Sequence, residues 1–206
     1  MPDKKEKTEK KEKTKKTDTA EILLFGKWST EGIEVEDPGL KRYISLTPVI
    51  APHSAGRHEH HRFRKSQVSI VERFINKLMR GGRNTGKKMR ITKAVMVALE
   101  IIHLRTSANP VEILVRAVVN AALQEETTRI SYGGIVYHQA VDVAPQRRVD
   151  LSLQFLAQGI KKASFSTVKS FEECIAEELI AAANNDTRSF AIKRRQEKER
   201  IALSAR

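Results

Sequence analysis

The sequence predicts a mainly α-helical fold: a helical bundle of about five to six helices with one protruding β-hairpin and an irregular N-terminal arm. Three observations carry this. Apolar residues recur at i, i+3, i+4 and i+7 over several long stretches, the period that turns one face of an α-helix toward a core. One β-rich stretch surrounds Gly133-Gly134, a pair that supplies the positive φ angles of a two-residue turn. Between residues 24 and 55, Gly26, Gly32, Pro38, Gly39, Pro48 and Pro52 break any regular period.

Taken in order, residues 1–19 are expected to form a disordered Lys-rich tail. The Lys/Glu/Thr repeat from 4 to 16 has no apolar residue to offset the entropy of ordering. Residues 20–65 are an extended arm whose Phe25, Trp28 and Tyr43 need a surface to cover. A helical domain is expected over 66–186. Its first helix starts near Gln67, buries Val71, Phe74, Ile75 and Leu78, leaves Arg73, Lys77 and Arg80 elsewhere around the axis, and ends at Gly81 and Gly82. A second, from Lys87 to His103, carries Ile91, Ala94, Val95, Ala98 and Ile102 on one stripe. Its first turn is cationic, the wrong sign for the helix dipole unless a phosphate lies nearby. The third opens on Asn109 as cap, Pro110 at the first helical position and Glu112 placed to return a bond to the cap, and it buries Val111, Leu114, Val115, Val118 and Ala122.

The hairpin is expected at 127–143. With Tyr132 opposite Ile135, one face collects Ile130, Tyr132, Ile135 and Tyr137, and the other Arg129, Ser131, Val136 and His138. The two tyrosines either stack on unpaired bases or pack on the bundle. After Pro145 a fourth helix shows Val149, Leu153, Leu156 and Ile160. A fifth shows Val168, Phe171, Ile175, Leu179 and Ala182, with Cys174 as a buried small hydrophobe, Glu172, Glu173, Glu177 and Glu178 on a solvated face, and Asn184-Asn185 as stop. Residues 187–206 form a basic tail or helix with a poor apolar stripe, expected to order mainly against a partner.

Charge locates the function. The 206 residues hold 38 Lys and Arg against 25 Asp and Glu, a net charge of +13 that points to a polyanion. The excess is uneven. Residues 57–90 hold eleven basic groups against Glu59 and Glu72, and residues 187–206 hold seven against Glu197 and Glu199. One cysteine excludes a disulfide framework, no apolar run approaches the ~20 residues of a membrane span, and no signal-peptide stretch opens the chain, so an intracellular soluble protein is expected.

The chain lacks the residues of the enzymatic motifs it approaches. G-G-R-N-T-G-K-K at 81–88 approaches the phosphate-cradling G-x-x-x-x-G-K-S/T loop. Lys88, however, occupies the magnesium-binding hydroxyl position, and a helix pattern precedes the loop where a strand is needed. What survives is a glycine-rich turn with Arg83, Lys87, Lys88 and Arg90 for an RNA backbone. The His58, Glu59, His60, His61 run lacks the helical spacing of a zinc site, and Arg57, Arg62, Arg64 and Lys65 flank it as nucleic-acid contacts. No nucleophile, base and orienting group stand together, so neither a catalytic site nor a cofactor or metal is expected. A basic helical DNA-binding regulator is the alternative; it should show a short helix-turn-helix.

Several strings in order then resemble one family. They are L-F-G-K-W-S-T at 24–30, H-S-A-G-R at 53–57, R-F-R-K at 62–65, I-V-E-R-F-I-N-K-L-M at 70–79 and G-R-N-T-G-K-K from 82. E-I-I-H-L from 100, N-P-V-E-I-L-V from 109, Q-A-V-D-V-A-P-Q-R-R-V from 139 and A-I-K-R-R from 191 continue the series. The chain resembles the ribosomal protein seven family of the small subunit, in its eukaryotic cytosolic form. The resemblance implies a non-catalytic protein that docks on the 3′ major domain of small-subunit ribosomal RNA and helps nucleate assembly of the subunit head. It also implies a hairpin near the exit-site transfer RNA and the messenger path, neighbouring head proteins as partners, no membrane or DNA, and a cytosolic ribosome with a nuclear or nucleolar assembly stage. By matching strings, the RNA contacts would be Arg57, Arg62, Arg64, Lys65, Arg83, Lys87, Lys88, Arg90, Arg147, Arg148, Lys193, Arg194 and Arg195, with Arg129, Tyr132, Gly133, Gly134, Tyr137 and His138 near transfer and messenger RNA. The hairpin departs from eukaryotic relatives, which tend to carry further Arg there, leaving stacking or shape as its mode of contact.

Overall fold

A computed structural model describes residues 22–206; the expected tail at 1–19 lies outside the described residues. Among the described residues the fold is mainly helical: α1 Pro38–Lys41, α2 Ile70–Met79, α3 Lys88–Thr106, α4 Pro110–Asn120, α5 Pro145–Ser164, α6 Phe171–Ala183 and α7 Phe190–Ser204, with two strands, β1 Glu125–Tyr132 and β2 Ile135–Asp142. The first long helix starts at Ile70 and not near Gln67, because residues 64–67 close into a 3-10 turn after the left-handed Phe63. The arm behaves as expected of its apolar residues. Leu24, Leu40 and Ile44 enter the core, and Phe25, Trp28 and Tyr43 pack against it.

α6 forms the centre of the bundle, packed by α3, α4 and α5. Its apolar face, Cys174, Ile175, Leu179 and Ala182, is buried as the stripe predicts. Val168 is not part of it. The helix begins only at Phe171, where Ser170 and Glu173 form a reciprocal capping box, and Val168 lies fully exposed before it. At α4 the reverse holds. Asn109 caps by accepting from the Val111 amide at 3.1 Å, but Glu112 turns along the helix to Arg116 at 3.0 Å and returns no bond to the cap.

The acidic face of α6 is also incomplete, since Glu178 is buried and accepts from the Ser189 hydroxyl at 2.7 Å and the Ala191 amide at 3.1 Å. Those bonds start α7, which orders within the chain and not only against a partner. It buries Ala191, Ile192 and Ala202 and lies along α5 and the base of the hairpin. There Lys198 bonds Glu126, Arg206 bonds Glu125, and the Ala140 amide donates to the Ala205 carbonyl at 3.2 Å. The hairpin register is Tyr132↔Ile135 and Ile130↔Tyr137, with Gly133 and Gly134 at φ 58° and 82°, as the turn chemistry predicts.

Candidate nucleic-acid interface

Two basic segments meet across one buried carboxylate. Glu72, on the first turn of α2, accepts from the Ser54 amide at 2.8 Å, the Ser54 hydroxyl at 2.9 Å and the Lys88 ammonium at 2.7 Å. Ser54 leads into the 57–65 segment and Lys88 opens α3 after the glycine-rich turn, so both segments flank the same point. Burial pushes the Glu72 carboxyl up, but the combined bonds from Lys88 and Ser54 outweigh it and hold the group below the ordinary carboxylate value.

A second knot supports this one. Arg73 is only 3% exposed; it donates to the Tyr43 carbonyl at 2.8 Å and to Asp150 at 3.1 Å, while Lys65 reaches the other oxygen of Asp150 at 2.8 Å. Arm, α2 and α5 are thereby tied together. The helical stripe placed Arg73 away from the core, and nothing in local spacing signals its burial, because its partner lies on a distant helix.

The expected contact residues divide by what already holds them. Arg57, Arg62, Arg64, Arg83, Lys87, Arg90 and Lys193 are exposed and make no ion pair among the described residues. The Arg62 guanidinium lies 5.0 Å from the centre of the Phe63 ring. Arg147 is exposed but bridges to Glu126 at the hairpin base at 2.7 Å, and Arg194 pairs with Glu197 at 2.7 Å. Lys65, Lys88, Arg148 and Arg195 are half-buried and committed to the fold. Arg148 binds Asp37 at 2.9 Å and the Leu123 carbonyl at 2.8 Å, and Arg195 binds the Asn120 carbonyl.

The end of α5 joins the turn to α7. The Lys161 ammonium lies 3.9 Å from where a Cβ on Gly81 would stand, and Lys162 lies 4.5 Å from the Phe190 ring, three residues before Lys193. Sequence reasoning did not single out Lys161; only tertiary folding brings it to the turn. Arg147 and Arg148 stand at the opposite end of α5, beside the hairpin.

The hairpin projects its aromatic face. Tyr132 is 82% exposed and Tyr137 54%, so neither packs on the bundle, and Ile130 and Ile135 share their exposed face. Arg129 and His138 form the directly opposed pair on the other face. Exposed cations thus occupy the body, and ring surfaces occupy the projection.

The sequence model of the family described as Ribosomal protein S7p/S5e matches residues 40–206. The chain is 57% identical over 183 residues to a protein named small ribosomal subunit protein uS7 from Methanothermobacter thermautotrophicus, an alignment spanning 89% of this chain and 98% of that one.

Proposed function

This chain belongs to the S7p/S5e family of small-subunit ribosomal proteins, and from that premise we propose that it is a non-catalytic structural component binding the 3′ major domain of small-subunit ribosomal RNA, where it helps nucleate assembly of the head. The observation that supports this best is the set of exposed, unpaired cations on the 57–64 segment and the 81–90 turn, two segments that Glu72 ties together through Ser54 and Lys88. A polyphosphate chain neutralises such a surface at many points and releases counterions.

The hairpin is proposed to approach exit-site transfer RNA and messenger RNA through Tyr132 and Tyr137, with Arg129 and His138 at its flank. Neighbouring head proteins complete the environment. The chain is proposed to work in a cytosolic ribosome, with a nuclear or nucleolar assembly stage where the host is a eukaryote. A DNA-binding regulator gains no support from the family.

Binding of the full chain to the 3′ major domain RNA across a salt series tests the proposal. Affinity is expected to fall steeply between about 50 and 200 mM salt, by orders of magnitude if six or more phosphates are contacted. Triple substitution of Arg83, Lys87 and Arg90 to Ala should flatten that dependence and weaken incorporation into subunits. Lys88 is left intact because Glu72 needs it. A salt-independent affinity, or preference for duplex DNA in competition, would refute the assignment.

A further inference from the structure

We propose that the cleft between the 81–84 turn and the α5–α6 connection holds one unpaired RNA nucleotide, its base against Phe165 and its phosphates on Arg83, Arg90 and Lys161. This deepens the RNA-binding reading above and rests on it. The cleft encloses about 760 Å³, within the roughly 300–1,000 Å³ range of small-ligand sites. Ile91, Ala94 and Phe171 contribute its apolar lining.

Phe165 is 77% exposed on this cleft although it caps the end of a 20-residue helix. A ring so placed contributes almost nothing to the core, and a planar base is the partner its face suits, because every base offers a stacking surface. The cations are equally unspent. Arg83, Arg90 and Lys161 make no ion pair among the described residues, and burial depresses the Lys161 ammonium with no carboxylate to offset it. A phosphate supplies the missing charge.

The backbone permits the approach. Gly81 and Gly82 have φ of 77° and 67°, and nothing stands within 4 Å of where a Cβ on Gly82 would project, so a phosphate can reach the amides of the turn. One acid, Glu172, also lines the cleft. Its carboxylate accepts hydrogen bonds and so suits the exocyclic amine of an adenine, guanine or cytosine edge, leaving the phosphates to the three cations.

The full chain, its Phe165→Ala and Phe165→Tyr variants and its Arg83→Ala variant are titrated against the 3′ major domain RNA, with ultraviolet cross-linking and peptide mass spectrometry on the complexes. Because Phe165 is exposed, Phe165→Ala should keep the wild-type circular dichroism. The expected results are about a tenfold loss of affinity for Phe165→Ala with an unchanged salt slope, recovery by Phe165→Tyr, and a nucleotide cross-linked at Phe165. Arg83→Ala should instead reduce the salt slope by about one. Wild-type affinity in Phe165→Ala with no cross-link at that residue overturns the pocket while RNA binding stands. Failure of the wild-type chain to bind the RNA overturns both.

Discussion

Two buried glutamates on different helices, α2 and α6, have their titrations shifted in opposite senses. Glu72 is held below its ordinary value near 4.5, since the bonds from Lys88 and Ser54 outweigh desolvation; Glu178 is pushed above it, since desolvation outweighs the bonds from Ser189 and the start of α7. A depressed carboxyl stabilises the fold above its unfolded pKa, and that stabilisation is lost as pH falls through the folded value. A raised carboxyl stabilises below the unfolded pKa and costs stability as pH rises through the folded value. Glu72→Gln at pH 7 should therefore lower the thermal midpoint, by about 2 kcal/mol of stability, since it strips Lys88 of its counter-charge. Glu178→Gln keeps an acceptor for Ser189 and should raise the midpoint at pH 7. Thermal melts from pH 7 down to pH 3 check both, and each difference from wild type should shrink in acid. A Glu178→Gln midpoint below wild type at pH 7 would show that its charge is stabilising against the N-terminus of α7.

The elements meet where side chains are smallest. A Cβ on Gly159 of α5 would stand 2.8 Å from the Glu178 carboxylate of α6 and 2.9 Å from the Phe190 Cβ of α7, so three helices converge there only because that position is glycine. Gly159→Ala should destabilise by about 1–3 kcal/mol in urea unfolding, with α7 displaced. A surface helix glycine would instead gain stability on the same change. This junction also explains how much the sequence disclosed. Asn109-Pro110 and Gly133-Gly134 carry their instructions within a few residues, and both the α4 start and the hairpin register follow from them. The apolar stripes of α2, α3 and α5 likewise announce their buried faces. α7 offers only Ala191, Ile192 and Ala202 to the core, and what fixes it is Glu178 and the hairpin base, which are remote in sequence. Arg73 and Lys161 escaped the local pattern for the same reason. The basic segments at 57–65 and 81–90 were legible as charge density, but their division into free and committed cations depends on Glu72 and Asp150, whose partners only the fold reveals.

Across the whole molecule, the cations that make the surface adhesive also repel one another. A net charge of +13, with the exposed cations Arg57, Arg62, Arg64, Arg83, Lys87 and Arg90 concentrated on two segments, works against compaction in the free protein. The exposed ion pairs, such as Lys169 with Glu177 and Arg116 with Glu112, contribute little and are screened by the same salt. Raising salt from about 50 to 300 mM shortens the Debye length from roughly 14 to 6 Å, which weakens long-range repulsion among these cations more than it weakens contacts near 3 Å. The free protein should therefore melt higher in the higher salt while its affinity for ribosomal RNA falls. Scanning calorimetry of the chain alone and filter binding of the complex, run in matched buffers, measure the two responses. The opposition should diminish in a variant with Arg57, Arg62 and Arg64 changed to Gln, which relieves repulsion and removes phosphate contacts together. If salt lowered the melting midpoint of the free protein, the ion pairs would outweigh the repulsion, and the uneven charge distribution would be part of what holds the fold together.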